Sequence, residues 1–130
     1  MGTSSPYRMK VTYTIPIRPR PKQRPRFARG HAYTPKETRD YEETLRTVCR
    51  AQGASPRPNP CIVDMSCYWK RPKSVKESQF FTKRPDADNL SKCLDALNGV
   101  CWNDDAQIVE LTVSKDYGEE DMVVIQIEYL

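Results

Sequence analysis

Histidine is nearly absent: His31 is the single one among 130 residues. A mechanism that passes a proton between a histidine and a serine or cysteine nucleophile would have to use it. It sits in an unpatterned basic stretch, which argues against histidine-based catalysis. The five cysteines (Cys49, Cys61, Cys67, Cys93, Cys101) are odd in number and hold no Cys-x-x-Cys pair. That argues against a zinc site and against a disulfide framework. Cys61, Cys67 and Cys93 fall on apolar faces, as small core residues of a chain kept in a reducing cytoplasm. No apolar run approaches a membrane span, and the N-terminus lacks the apolar core of a signal peptide, so no membrane partner is expected. Residues 1–6 read as a disordered lead-in.

Charge is unevenly distributed. Residues 1–36 contain nine Lys or Arg and no Asp or Glu, whereas after Pro85 the bases are Lys92 and Lys115 against eleven acids. The net charge of +4 hides this division. A basic first part beside an acidic second part fits a phosphate-binding surface around a metal-binding centre.

The length predicts one domain over 1–130, large enough to bury roughly two-thirds of its extended surface. Met9, Val11, Tyr13, Ile15 and Ile17 alternate with polar residues as a half-buried strand, and Pro16 and Pro19 place its end at a sheet edge. The prolines of 18–33 forbid a helix and favour an extended basic loop. Arg18, Arg20, Lys22, Arg24, Arg26 and Arg29 could follow a DNA backbone with Phe27 or Tyr33 nearby; the plainer reading is a solvated loop. Thr34-Pro35-Lys36-Glu37 predicts a capping box opening a helix whose inner face is Tyr41, Leu45, Val48, Cys49 and Gln52, with Gly53 as its stop.

Cys61, Val63, Met65, Cys67 and Trp69 predict a second strand. A second basic loop, 70–84, carries Arg71, Lys73, Lys76, Lys83 and Arg84 with Phe80-Phe81, a pair suited to stacking on bases or to wedging into a duplex. Val109, Leu111 and Val113, then Val123, Ile125, Ile127 and Tyr129, predict two strands joined as a hairpin through Gly118-Glu119-Glu120-Asp121. The order β-α-β-α-β-β is an α+β domain with helices on a mixed or antiparallel sheet.

The centre of the chain is Arg84 to Ile108, with Asp86, Asp88, Asp95, Asp104 and Asp105. Leu90, Cys93, Leu94 and Leu97 form a helical stripe that Asn98-Gly99 can end, which makes Asp88 a candidate N-cap. Lys92 lies one turn after Asp88, away from the stripe. A short return loop could bring Asp104-Asp105 back beside Asp86 and Asp88. Oxygen-only ligands suit Mg²⁺, or Mn²⁺. Such a cation can activate water and relieve charge on a phosphodiester, with Lys92 adding to that relief. The plainer reading is that Asp88 caps a helix and Asp104-Asp105 make a turn.

Three blocks, Asp86-Ala87-Asp88-Asn89-Leu90-Ser91-Lys92, Asp95-Ala96-Leu97-Asn98-Gly99-Val100 and Trp102-Asn103-Asp104-Asp105-Ala106-Gln107-Ile108, together resemble the signature of the RusA family of Holliday junction resolvases. The resemblance implies a Mg²⁺-dependent, homodimeric endonuclease that cuts four-way DNA junctions. It assigns Asp86, Asp88 and Asp105 as essential, metal-holding carboxylates and Lys92 as the essential lysine, with Asp104 adjacent. It also implies a role in DNA recombination, repair or phage DNA processing, in the cytoplasm of a bacterial or phage-infected cell. Two other readings stand beside it: a catalytically inactive branched-DNA-binding module, and a nuclease acting on RNA or other branched DNA.

Overall fold

A computed structural model describes residues 8–130; the expected lead-in at 1–6 lies outside them. The main sheet has four strands: β1 (Met9–Ile15), β4 (Cys61–Lys70), β5 (Ile108–Gly118) and β6 (Met122–Tyr129), in the order β1-β6-β4-β5. β6 is antiparallel to both β1 and β4, and β4 is parallel to β5, so the sheet is mixed as expected. A separate two-stranded ribbon, β2 (Arg26–Ala28) with β3 (His31–Tyr33), stands in the first basic loop. Among the described residues no helix is long and apolar enough to cross a membrane.

The period-two pattern becomes the core. Val123, Ile125, Ile127 and Tyr129 of β6 and Cys61, Val63, Met65, Cys67 and Trp69 of β4 are buried on one face. Helix α1 (Lys36–Ala51) covers that face with Thr38, Tyr41, Leu45 and Cys49. Gly53, at φ 96°, turns the chain out of the helix as expected, because only glycine adopts that geometry freely.

Four expectations need correction. The last two strands do not pair: β4 lies between them, and the turn after Gly118 steps over the end of β4. Arg71 N donates to Gly118 O at 2.9 Å, and Lys70 N donates to the Asp121 carboxylate at 2.9 Å. The reason is burial. β6 has an unbroken buried apolar face and takes the middle, whereas β5 carries Glu110, Thr112, Lys115 and Asp116 and takes an edge.

The Thr34 capping box does not form. Pro35 occupies the N-cap position with no side-chain cap, and Glu37 accepts from Gln23 Nε2 at 3.0 Å instead. The first basic loop contains the β2–β3 ribbon, turned at Arg29 (φ 52°) and Gly30 (φ 78°). Two successive positive φ values give the twist that suits a tight hairpin.

Helix α2 (Ala87–Ser91) is only five residues long and continues as a 3-10 segment, Lys92–Leu97. Leu90, Cys93 and Ala96, and likewise Leu94, Leu97 and Val100, are buried. That spacing of three favours the tighter winding over 3.6 residues per turn.

Candidate active site

The central motif wraps the open side of the core. Trp102 is completely buried, and its Nε1 donates to Asn98 Oδ1 at 2.8 Å. Gly99, at φ 78°, permits the tight turn between them, where Gly99 N donates to Trp102 O. With Trp102 anchored, Asn103, Asp104 and Asp105 emerge at the surface.

Gln107 fixes this turn. Its Oε1 accepts from Asn103 N (2.8 Å) and Asp104 N (3.0 Å), and its Nε2 donates to Arg57 O (2.7 Å) and Asn59 O (2.8 Å). Four backbone groups therefore depend on one side chain. Gln107→Ala is expected to lower stability by about 2–6 kcal/mol, at roughly 0.5–1.5 kcal/mol per net hydrogen bond; urea unfolding measures it.

The paired aspartates separate by role. Asp104 accepts from Ala106 N at 3.0 Å and caps the short 3-10 turn Asp105–Gln107. That bond, with a smaller effect of the neighbouring Asp105 carboxyl, holds Asp104 below the usual carboxylate range. Asp105 moves the other way: the hydrogen bond with Asp104, its own desolvation and the charges of Asp104 and Asp95 raise it. Asp104 is committed to the backbone, while Asp105 borders an open groove with Ser91, Leu94 and Ile108.

Asp86, not Asp88, holds the N-cap position of α2, and it does so without a side-chain hydrogen bond. Elsewhere Asp40 pairs with Lys36, Asp95 with Lys22, and Asp121 with the backbone of Lys70. No partner among the described residues engages the side chains of Asp86, Asp88 or Lys92, and all three are exposed. Asp86 borders a cleft with Pro21, Arg84, Pro85 and Asn89. The helix-cap reading of Asp88 is thus removed.

Among the described residues no group of three or more His, Cys, Asp or Glu stands close enough to hold a metal ion. The expected return of Asp105 beside Asp86 and Asp88 is therefore not a closed cage. The donors still fit Mg²⁺ in kind: exposed carboxylate oxygens suit a cation that retains waters and takes one or two carboxylates.

The basic residues surround this acidic centre unequally. Arg18, Arg20, Arg24, Arg26, Arg29, Lys73, Lys76, Lys83 and Arg84 are exposed, and Arg71 is half-buried. One groove brings Arg18 of the first loop together with Lys70, Lys83 and Arg84 of the second. Lys22, expected among the DNA contacts, is engaged within the fold. Its Nζ lies 2.7 Å from Asp95 and 3.3 Å from Glu42. Burial alone would lower its pKa, but the Asp95 hydrogen bond and both carboxylate charges outweigh that and raise it. Its ammonium straps the loop to the helices, aided by Gln23 bonded to Thr38.

The phenylalanine pair also divides. Phe81 stacks on Trp69 at 4.0 Å, meets Tyr117 edge-on at 5.0 Å and lies under Lys115 Nζ at 5.2 Å, so it is a packing residue. Phe80 is 81% exposed. Phe81→Ala is expected to cost about 2–4 kcal/mol of stability and Phe80→Ala less than about 0.5 kcal/mol, read by thermal unfolding.

Sequence reasoning missed the ribbon. Both its strands are exposed throughout, with Phe27 at 78% and Arg26 and Arg29 beside it. The signal was Arg29-Gly30 flanked by two short runs, hidden by the prolines before it.

The arrangement is a mixed sheet covered on one face, with exposed carboxylates and a lysine at the start of a short helix and two basic loops before it in sequence. The family model described as Endodeoxyribonuclease RusA matches residues 16–128, and the chain belongs to that family. The chain is also similar to the "Uncharacterized protein YqaN" of Bacillus subtilis (strain 168), with 39% identity over 80 residues, covering 52% of this chain and 56% of that protein. The match thus spans little more than half the length of that relative.

Proposed function

We propose that this protein is a Mg²⁺-dependent endonuclease that resolves four-way DNA junctions by paired symmetric nicks, working as a homodimer in the cytoplasm. The observation that carries the reading is the set Asp86, Asp88 and Lys92: three exposed charged side chains without partners among the described residues, at the start of one short helix in a RusA-family chain. Asp95 and Asp104, by contrast, are engaged by the fold, one with Lys22 and one as the cap of a 3-10 turn.

The carboxylates offered to the cation, Mg²⁺ or Mn²⁺, would be those of Asp86, Asp88 and Asp105, one or two of them at a time with water as the remaining donors. When bound, it supplies water activation and relief of phosphate charge. Lys92 offers an ammonium to the non-bridging oxygens of the scissile phosphate, where negative charge grows in the transition state. Gln107 and Asp104 hold the turn that presents Asp105. Arg18, Lys83 and Arg84 line the approach, and Arg24, Arg26 and Arg29 reach along a duplex arm. Phe80 is free to stack on a base exposed at the branch point.

The test is cleavage of an end-labelled four-way junction against linear duplex and single strand, with Mg²⁺ or EDTA. The reading expects Mg²⁺-dependent cuts on the junction alone. Tight junction binding with no cut in either Mg²⁺ or Mn²⁺ would favour the inactive binding module. Equal cutting of linear DNA would remove the structural selectivity.

A further inference from the structure

Lys115 stands where the strand pattern calls for an apolar residue. Val113, Lys115 and Tyr117 of β5 lie opposite Met65, Cys67 and Trp69 of β4, which are buried on the helix-covered face of the sheet. By alternation Lys115 shares that face, and it is half-buried there. A lysine so placed needs partners for its ammonium. No carboxylate among the described residues pairs with it, although it and Lys92 are the two bases after Pro85 among eleven acids.

The ammonium turns to the second basic loop instead. Nζ donates to the backbone O of Lys83 at 2.7 Å and lies 5.2 Å from the ring centroid of Phe81. Phe81 is in turn stacked on Trp69. Among the described residues, the bond to Lys115 is the one hydrogen bond that residues 80–85 make. Earlier in the loop the chain has bonds of its own: Val75 N to Pro72 O, Gln79 N to Lys76 O, and Lys76 N to Gln79 Oε1. After it, Asn89 N donates to Asp86 O at 3.1 Å as α2 begins. The segment between hangs on one stacked ring and one ammonium. Asp86 follows Lys83 within no more than about 11 Å of chain.

We infer that Lys115 is a positioning residue: its ammonium latches the backbone at Lys83 and thereby sets where the Asp86 carboxylate stands. The inference rests on the nuclease reading above, in which Asp86 is offered to the cation. A misplacement of about 1 Å at a reacting centre can cost about 10²-fold in rate. A segment held so sparsely has that freedom once the bond is gone.

Lys115→Met tests it, because methionine keeps the stem against Phe81 and removes the donor. Trypsin reads the latch without DNA or metal. To cleave after Lys83 it must take hold of the Lys83 carbonyl, so the bond to Lys115 has to open first. Cleavage after Lys83 is expected to rise about fivefold in the variant, the shift that one net hydrogen bond of ordinary strength gives. Cleavage after Arg29, in the first loop, is expected to stay at the wild-type rate. At saturating junction and fixed Mg²⁺, cutting is expected to fall about 10-fold or more, with junction affinity unchanged. Lys115→Arg, whose guanidinium can donate to the same carbonyl, recovers both rates.

Equal cleavage after Lys83 in wild type and Lys115→Met would overturn the latch. Faster cleavage after Lys83 and Arg29 alike would reduce Lys115 to a residue of general stability and overturn it too. Faster cleavage after Lys83 alone, with cutting unchanged, would sever the tie to Asp86. Weaker junction binding with cutting intact at saturation would make Lys115 a phosphate contact instead. A wild type that cuts no junction would overturn the nuclease reading and the role in cutting with it, while the trypsin rates would still decide the latch.

Discussion

Asp88→Asn is expected to leave junction affinity within about twofold of wild type while lowering the cutting rate by about 10³-fold or more. The two effects separate because of where Asp88 sits. It is exposed near the start of α2, and no described partner loses a bond when its charge is removed. Folding and the basic loops are therefore untouched. On the proposed reading, what is lost is an oxygen donor to the cation and the negative charge that attracts it. Removing that charge also lessens repulsion of DNA phosphates, so binding without Mg²⁺ is expected to hold or rise slightly. Asp104→Asn is the control: asparagine keeps the cap of the 3-10 turn, so cutting falls far less. A loss with Asp104→Asn equal to that with Asp88→Asn, and none with Asp105→Asn, would reverse the assignment of Asp105 over Asp104.

Replacing Arg24, Arg26 and Arg29 together by glutamine is expected to weaken junction binding by about 10²-fold at moderate salt. It is also expected to reduce the slope of log affinity against log salt by roughly 2–3. Each phosphate contact releases counterions and contributes about 0.9 to that slope on duplex DNA. The ribbon presents Arg26 and Arg29 on a hairpin with every position exposed, and Arg24 is exposed just before it, while Lys22 and Gln23 tie the base to Asp95, Glu42 and Thr38. Lys22→Gln is expected to behave differently. It would lower stability and leave the salt slope nearly unchanged, because its ammonium already neutralises two carboxylates. A salt slope unaltered in the triple variant would remove the ribbon from the DNA interface.

The strands β1, β4 and β6 and helix α1 were legible because each follows a local period that burial enforces. Tyr13 and Ile15, Val63 and Met65, Ile125 and Ile127, and Tyr41, Leu45 and Cys49 all sit where alternation or helical spacing put them. Strand order was not legible. Placing β4 between β5 and β6 depends on which strand can be buried on its inner face along its whole length, a comparison no single segment contains. The charged side chains of the central motif were found by type and spacing, but their commitments were not. Lys22 meets Asp95 across 73 residues of sequence, and Gln107 reaches the carbonyls of Arg57 and Asn59. Those long-range bonds decide which charges belong to the fold and which remain free for a ligand.

The central claim is that two centres act on one junction. It is tested most directly on a supercoiled plasmid that extrudes a cruciform. Paired nicks made within one encounter convert the plasmid to the linear form, while unpaired nicks give the open circle, because the first nick releases the supercoiling and reabsorbs the cruciform. The account predicts linear product, dependent on Mg²⁺ and absent with Asp88→Asn, with cuts mapping symmetrically across the cruciform base. Accumulation of open circle alone, or cuts scattered away from the cruciform, would contradict it.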